Sequence, residues 1–189
     1  MKIILASNSP RRKELLKEHN IDFVVIPSNV NEVIDATITP YENVMRLSEI
    51  KGLDVFAKNK DDLVIAADTI VVYNNEILGK PKDEKDAFRM LRLLSGKIHE
   101  VVTGVTLITN KKQITEYEVS YVKFKDLSDE EIWDYIKTKE PMDKAGSYAI
   151  QGIGSKFIEY HEGSYDNIVG LPMKLVIKNM NILTKKAID

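Results

Sequence analysis

Two arginines at the start of a helix pose the first chemical question. In the stretch LASNSPRRKELLKEHN, Ser9 stands as an N-cap and Pro10 at the first helical position, with Leu15 and Leu16 supplying an apolar face. Arg11 and Arg12 then fall in the first turn, where a helix already presents unpaired N–H groups and about half a positive charge. Cations there are disfavoured by roughly 0.3–1 kcal/mol each. The pair makes sense if an anion, most naturally phosphate, receives the N–H groups and the guanidinium forks together. The alternative is that both arginines point to solvent or pair with carboxylates elsewhere in the chain.

A carboxylate raises the second question. Asp68 lies between the apolar runs Leu63-Val64-Ile65-Ala66-Ala67 and Ile70-Val71-Val72. An ionised group there is costly unless it is paired, hydrogen-bonded or bound to a metal, although an Asp at a strand end also starts turns. Glu32, in the loop NVNEV, offers a second carboxylate, and Lys51 and Lys80 offer cations. Each of these three is unremarkable alone, because Glu and Lys are mostly solvated surface residues. Gathered with Arg11, Arg12 and Asp68 in one cleft, they would supply cations for a polyphosphate and carboxylates for a metal and a water molecule.

Other chemistries find little support. Cysteine is absent, which removes disulfides, thiolate metal sites and a cysteine nucleophile together. His19, His99 and His161 have no zinc-ligand spacing, and neither a GxxxxGK[ST] phosphate loop nor a GxGxxG fingerprint is present. The 27 Lys and Arg against 29 Asp and Glu leave a net charge of −2, which argues against broad binding to nucleic acid. MKIILASNSP has too short an apolar stretch for a secretory leader, and no run approaches the ~20 apolar residues of a membrane span. A cytoplasmic protein is expected, with no nucleic-acid or membrane partner.

The elements that must position these residues alternate. Lys2 to Ala6 reads as a strand feeding the Ser9-capped helix, and Phe23 to Pro27 as a second strand. Thr39-Pro40-Tyr41-Glu42 is a capping box opening a helix to about Lys58. Leu63 to Ala67 and Ile70 to Tyr73 read as buried strands, with Asn74-Asn75 as a hairpin turn before Glu76 to Leu78. Asp83 to Ser95 is a helix stopped by Gly96. Val101 to Ile108 and Ile114 to Phe124 pair as long antiparallel strands, and Ser128 to Glu131 is a second capping box. Phe157 to Tyr160 and Leu171 to Asn179 close the series as strand and helix. The 189 residues fit one domain or two closely joined lobes; with no linker, a single domain spanning residues 1–189 is expected, an α/β fold with a mixed sheet, and the Gly146 to Gly170 region reads as a loop system serving a site.

The strings LASNSPRR, AADTIVV, GKP, HEVVTGV, DKAGSYAIQG and EGSYDNIVGLP occur in order between Leu5 and Pro172. Through them the sequence resembles the Maf family of nucleoside triphosphate pyrophosphatases. The resemblance implies an ITPase-like (Maf/Ham1) α/β fold, a long mixed sheet and two lobes around a cleft. It implies a divalent cation (Mg2+, Mn2+ or Co2+), held by Glu32 and Asp68, and a homodimer. By position, Asp68 matches the proton acceptor, Glu32, Lys51 and Lys80 the charged catalytic residues, and Ser7, Arg11 and Arg12 the phosphate-facing loop and helix start. Gly52 departs from the pattern, standing where Ala is common, and a helical glycine costs up to about 1 kcal/mol relative to Ala.

Arg11, Thr69 and Gln151 stand where the subgroup acting on 7-methyl-GTP carries a bulky aromatic, Gln and Glu. The triplet resembles the pyrimidine subgroup, which implies a hydrolase acting on dTTP and UTP, and on modified pyrimidine nucleotides, in the removal of unwanted nucleotides. Two alternatives stay open from the sequence: a 7-methyl-GTP or purine-specific pyrophosphatase on the same scaffold, and a nucleotide-binding division regulator without turnover.

Overall fold

A computed structural model describes residues 1–184. The chain begins with β1 (Ile3–Leu5), whose register is parallel with β2 (Val24–Val25) on one side and β3 (Leu63–Tyr73) on the other: Ile4 faces Val24 and Val64. Parallel neighbours need crossover connections. Helix α1 (Pro10–Glu18) crosses from β1 to β2, and α2 (Pro40–Phe56) from β2 to β3. β2 is shorter than the five residues expected, and both its valines are exposed. It is a terminal strand of the sheet, paired only with β1 among the described residues.

The sequence's punctuation is realised locally. The Ser9 side chain accepts from the Arg12 N–H, and α1 has no acidic residue in its first turn. In α2 the Glu42 N–H donates to Thr39 Oγ1 at 3.2 Å while the Thr39 N–H donates to Glu42 Oε2 at 2.8 Å. The second capping box, Ser128 with Glu131, opens α4 (Asp129–Lys137) with the same two bonds. Asn74 and Asn75 both take positive φ, +49° and +65°, the left-handed pair that a two-residue hairpin turn requires, and β4 (Glu76–Leu78) returns antiparallel to β3. α3 (Glu84–Leu94) ends at Gly96, whose φ is +67°.

The two apolar runs flanking Asp68 are not two strands but one, continuous through the carboxylate. β5 (Ile98–Ile108) and β6 (Gln113–Phe124) form the expected hairpin, closed by Thr109 N–H to the Lys112 carbonyl at 3.0 Å. β7 (Ile158–Glu162) joins β6 antiparallel, with a register shift at Lys123 and Phe124. Among the described residues the sheet has seven strands in the order β2-β1-β3-β5-β6-β7, with β4 on β3. The late helix, α6, begins at Met173 and runs to Thr184, and a short helix, α5 (Tyr165–Val169), precedes it. Short 3-10 turns fill Glu140–Asp143, Ala145–Ser147 and Ile153–Phe157.

The chain divides into two compact units. The first holds residues 1–68, 103–118 and 170–184 of those described, and the second holds residues 69–102 and 119–169. The first has a core of Ile4, Ala6, Val55, Val64 and Ala66 with Phe56 against it. In the second, Ala87, Leu91 and Leu94 of α3 and Ile132, Tyr135 and Ile136 of α4 share a core with Val122, Phe124 and Phe157.

Candidate functional site

Asp68 sits in β3 and is 7% exposed, and Lys51, on α2, is 9% exposed. The buried carboxylate is accompanied by a cationic side chain: Lys51 Nζ lies 2.6 Å from Asp68 Oδ1 and 3.0 Å from Glu32 Oε1. Two carboxylates from a strand and a loop thus converge on one ammonium group from a helix.

Lys51 reaches Asp68 because α2 lies unusually close to the sheet. A Cβ on Gly104 of β5 would stand 2.4 Å from the Val44 carbonyl oxygen, so the helix backbone packs where only a glycine leaves room. At Gly52 a Cβ would come within 3.0 Å of Ile108 Cδ1 and 3.4 Å of the Ala66 Cβ. The glycine that weakens the helix intrinsically therefore relieves a tight contact, and α2 continues through it to Phe56. A buried hydroxyl chain fixes the helix laterally: Ser48 Oγ is 2.8 Å from Thr106 Oγ1, which is 3.0 Å from Thr115 Oγ1.

The loop carrying Glu32 is tied to the same helix. Asp54 accepts from the Ser28 hydroxyl at 2.9 Å and from the Asn29 N–H at 3.0 Å. Those two donors hold the Asp54 carboxyl below its ordinary pKa. Buried Asn43 accepts from the Asp35 N–H and donates to the Asp35 carbonyl, both at 2.8 Å, and Arg46 donates to the Val33 carbonyl. Glu32, itself exposed, is held between these pins.

Arg12 is held by two side-chain hydrogen bonds. Its Nε donates to the Gly170 carbonyl at 2.8 Å and its Nη1 to Ser7 Oγ at 3.1 Å, and Ser7 Oγ also accepts from the Ser9 N–H. Burial pulls the Arg12 pKa below its ordinary value, opposed chiefly by the nearby charge of Asp68 and also by Glu32, while Arg11 adds to the lowering. An arginine keeps its charge through such a shift. Arg11 is half-buried in the same helical turn. The structure therefore brings Ser7, Arg11, Arg12, Glu32, Lys51 and Asp68 together in the first unit.

The remaining sequence candidates, Thr69, Lys80 and Gln151, lie in the second unit. Thr69 is half-buried in β3, and Lys80 and Gln151 are exposed. Lys80 follows Gly79, whose carbonyl accepts from the Gly146 N–H at 3.1 Å. Sequence reasoning missed the glycine at 104 and the buried Asn43. The signal for the first was available as a glycine inside an apolar strand, which marks a bulge or a close approach.

Among the described residues no group of three or more His, Cys, Asp or Glu is placed to hold a metal ion. Glu32 and Asp68 supply hard oxygens, which suits a cation taking one or two carboxylates and completing its shell with water and phosphate oxygens. No helix is long and apolar enough to cross a membrane among the described residues.

The family description "Maf-like protein" matches residues 2–183. A dTTP/UTP pyrophosphatase of Caldicellulosiruptor bescii is 51% identical over 191 residues, covering 98% of this chain and 94% of that protein. A dTTP/UTP pyrophosphatase of Bacillus cytotoxicus is 50% identical over 179 residues, covering 95% and 94%. The structure of the Staphylococcus aureus Ham1 protein matches with a TM-score of 0.53 and 17% identity over 97% of each chain, which shows a shared fold. The chain belongs to the Maf family.

Proposed function

We propose that this protein is a nucleoside triphosphate pyrophosphatase that hydrolyses dTTP and UTP, and modified pyrimidine nucleotides, to the nucleoside monophosphate and pyrophosphate. The observation that carries the reading is the buried Asp68 held by Lys51 with Glu32 on the same ammonium, next to an arginine-bearing helix start. Half-identical relatives bear the name of that activity. Water attacks the α-phosphorus, forming a new P–O bond as the bond to the departing pyrophosphate breaks, and Asp68 takes the water's proton. Lys51, Lys80, Arg11 and Arg12 offset charge on the phosphates, and Ser7 orients Arg12 toward them. Glu32 and Asp68 would hold a divalent cation, which when bound polarises the phosphoryl oxygens.

Arg11, Thr69 and Gln151 are the proposed specificity residues. The Gln151 amide both donates and accepts, which suits a neutral pyrimidine edge, whereas an ionised Glu only accepts. Residues 2–183 fit one family description, which supports reading the chain as a single Maf-like domain. A homodimer acting in the cytoplasm is part of the same proposal. The test is a panel of dTTP, UTP, dATP, GTP and 7-methyl-GTP with a divalent metal, read as kcat/KM for the parent and for the triple variant Arg11→Trp, Thr69→Gln, Gln151→Glu. The parent prefers dTTP and UTP, and the triple variant shifts toward 7-methyl-GTP by about tenfold or more, since an unpaired buried polar group costs about 1–3 kcal/mol. A parent that prefers a purine nucleotide, or binds nucleotide with no turnover, overturns the reading.

A further inference from the structure

Glu140 belongs to none of the residues assigned so far, yet its carboxylate is placed with care. Helix α4 is stopped by Thr138, whose hydroxyl donates to the Tyr135 carbonyl, and by Lys139 in the left-handed region at φ +65°. The next residue, Glu140, sends its side chain to the start of the Ile153–Phe157 turn. There Oε1 accepts from the Ile153 N–H at 3.0 Å and Oε2 from the Gly154 N–H at 2.9 Å. Two successive backbone donors on one carboxylate make a charge-assisted bidentate cap. Burial alone would raise the Glu140 carboxyl, but the Ile153 N–H, the nearby Tyr135 hydroxyl and the Gly154 N–H, aided by Lys144, hold it below its ordinary value. Lys144 is oriented in turn by the Glu140 carbonyl at 3.0 Å and Asp143 Oδ1 at 2.7 Å.

The residue preceding this clasp is Gly152, with φ +96° and ψ −159°, a conformation essentially reserved for glycine. A Cβ there would lie 2.3 Å from Glu140 Oε1, so space and dihedral both demand a glycine. Gln151 is thus one residue from a backbone locked by a carboxylate. The other end of its loop is tied by the Gly146 N–H to the Gly79 carbonyl, beside Lys80, and its middle by Tyr148 Oη, 2.7 Å from His99 Nε2. Of the three ties, only the Glu140 clasp adjoins Gln151 and carries a charge.

We propose that Glu140 is a specificity-determining positioning residue: its carboxylate clasps the Ile153 and Gly154 N–H groups and so fixes the backbone that presents Gln151 to the nucleobase. The proposal rests on the reading that Gln151 meets the base. A base-recognition element supplies binding rather than chemistry, so its loss raises KM more than it lowers kcat. Glu140→Gln keeps the shape but replaces one accepting oxygen with a donor facing an N–H group. Gly152→Ala breaks the same clasp from the other side, and serves if Glu140→Gln does not fold.

The experiment measures kcat/KM for dTTP and dATP in the parent, Glu140→Gln, Gln151→Ala and the double variant, together with amide hydrogen exchange at Ile153 and Gly154. Glu140→Gln is expected to lower the dTTP-to-dATP preference about tenfold through KM and to speed exchange of those two amides tenfold or more. In the Gln151→Ala background it should change the preference by less than about twofold, because coupled residues are not additive. Unchanged exchange at Ile153 and Gly154 overturns the clasp, and effects on preference that multiply in the double variant overturn its action through Gln151. If Gln151→Ala alone leaves the preference unchanged, the base-recognition reading fails, and with it the specificity role, while the exchange data still report the clasp by itself.

Discussion

Removing the cation from the buried pair is the most informative perturbation of the site. With Lys51 Nζ 2.6 Å from Asp68 Oδ1, the attraction is about 6 kcal/mol at an effective dielectric of 20. Desolvation of both charges offsets much of this, and breaking such a pair from one side costs about 3–5 kcal/mol because a charge stays buried alone. Glu32 contributes little, since its side chain is 52% exposed. Lys51→Met should therefore lower Tm by about 6–20 °C in a chain of this length. Asp68→Asn should do less damage, since Lys51 keeps the exposed Glu32 carboxylate 3.0 Å away. In the double variant Lys51→Met/Asp68→Asn neither charge is left, so the combined loss falls short of the sum by about 2–3 kcal/mol. Urea unfolding of the four proteins at pH 7 measures this coupling. Strict additivity refutes the claim that the pair carries the strand's buried carboxylate.

Gly104→Ala should cost several kcal/mol and most of the activity, because the new methyl would meet the Val44 carbonyl at 2.4 Å and lift α2, with Lys51, off β5; thermal melts and kcat together check this, and a near-parental variant contradicts the close-approach argument. His99, 2% exposed, is pushed down to about 3 by burial. The unfolded chain binds this proton below about 6.5 and the folded chain does not, so the stability it contributes is present above about 6.5 and lost as pH falls toward 3. His99→Phe should flatten the pH dependence of the unfolding free energy by one proton across that window, and an unaltered slope refutes it. Asp68→Asn should still bind dTTP in a titration but lose about a hundredfold or more in kcat; near-parental turnover removes Asp68 from the base role.

Much of the local architecture is written in short-range signals. Ser9-Pro10, Thr39 with Glu42, Ser128 with Glu131, Asn74-Asn75 and Gly96 each specify a cap or turn through neighbours within four residues, and each does so in the structure. Asp68 was visible as an anomaly among apolar residues, but the strand does not break there because its partner comes from Lys51 on α2. That pairing depends on helix docking over Gly52 and Gly104, a tertiary fact that spacing does not encode. Glu140 was illegible for a related reason: its partners are backbone N–H groups, which carry no residue identity, and only the glycines at 152 and 154 hint at a close approach. β2 is shorter than its apolar run suggests, because such a run at a sheet edge looks the same in sequence whether or not it finds a second partner.

The central claim, attack at the α-phosphorus promoted by Asp68, is tested most directly by hydrolysing dTTP in oxygen-18 water with a divalent metal and weighing both products. The account predicts one labelled oxygen on thymidine monophosphate, unlabelled pyrophosphate and no early orthophosphate. Label in the pyrophosphate, or orthophosphate as the first product, contradicts it.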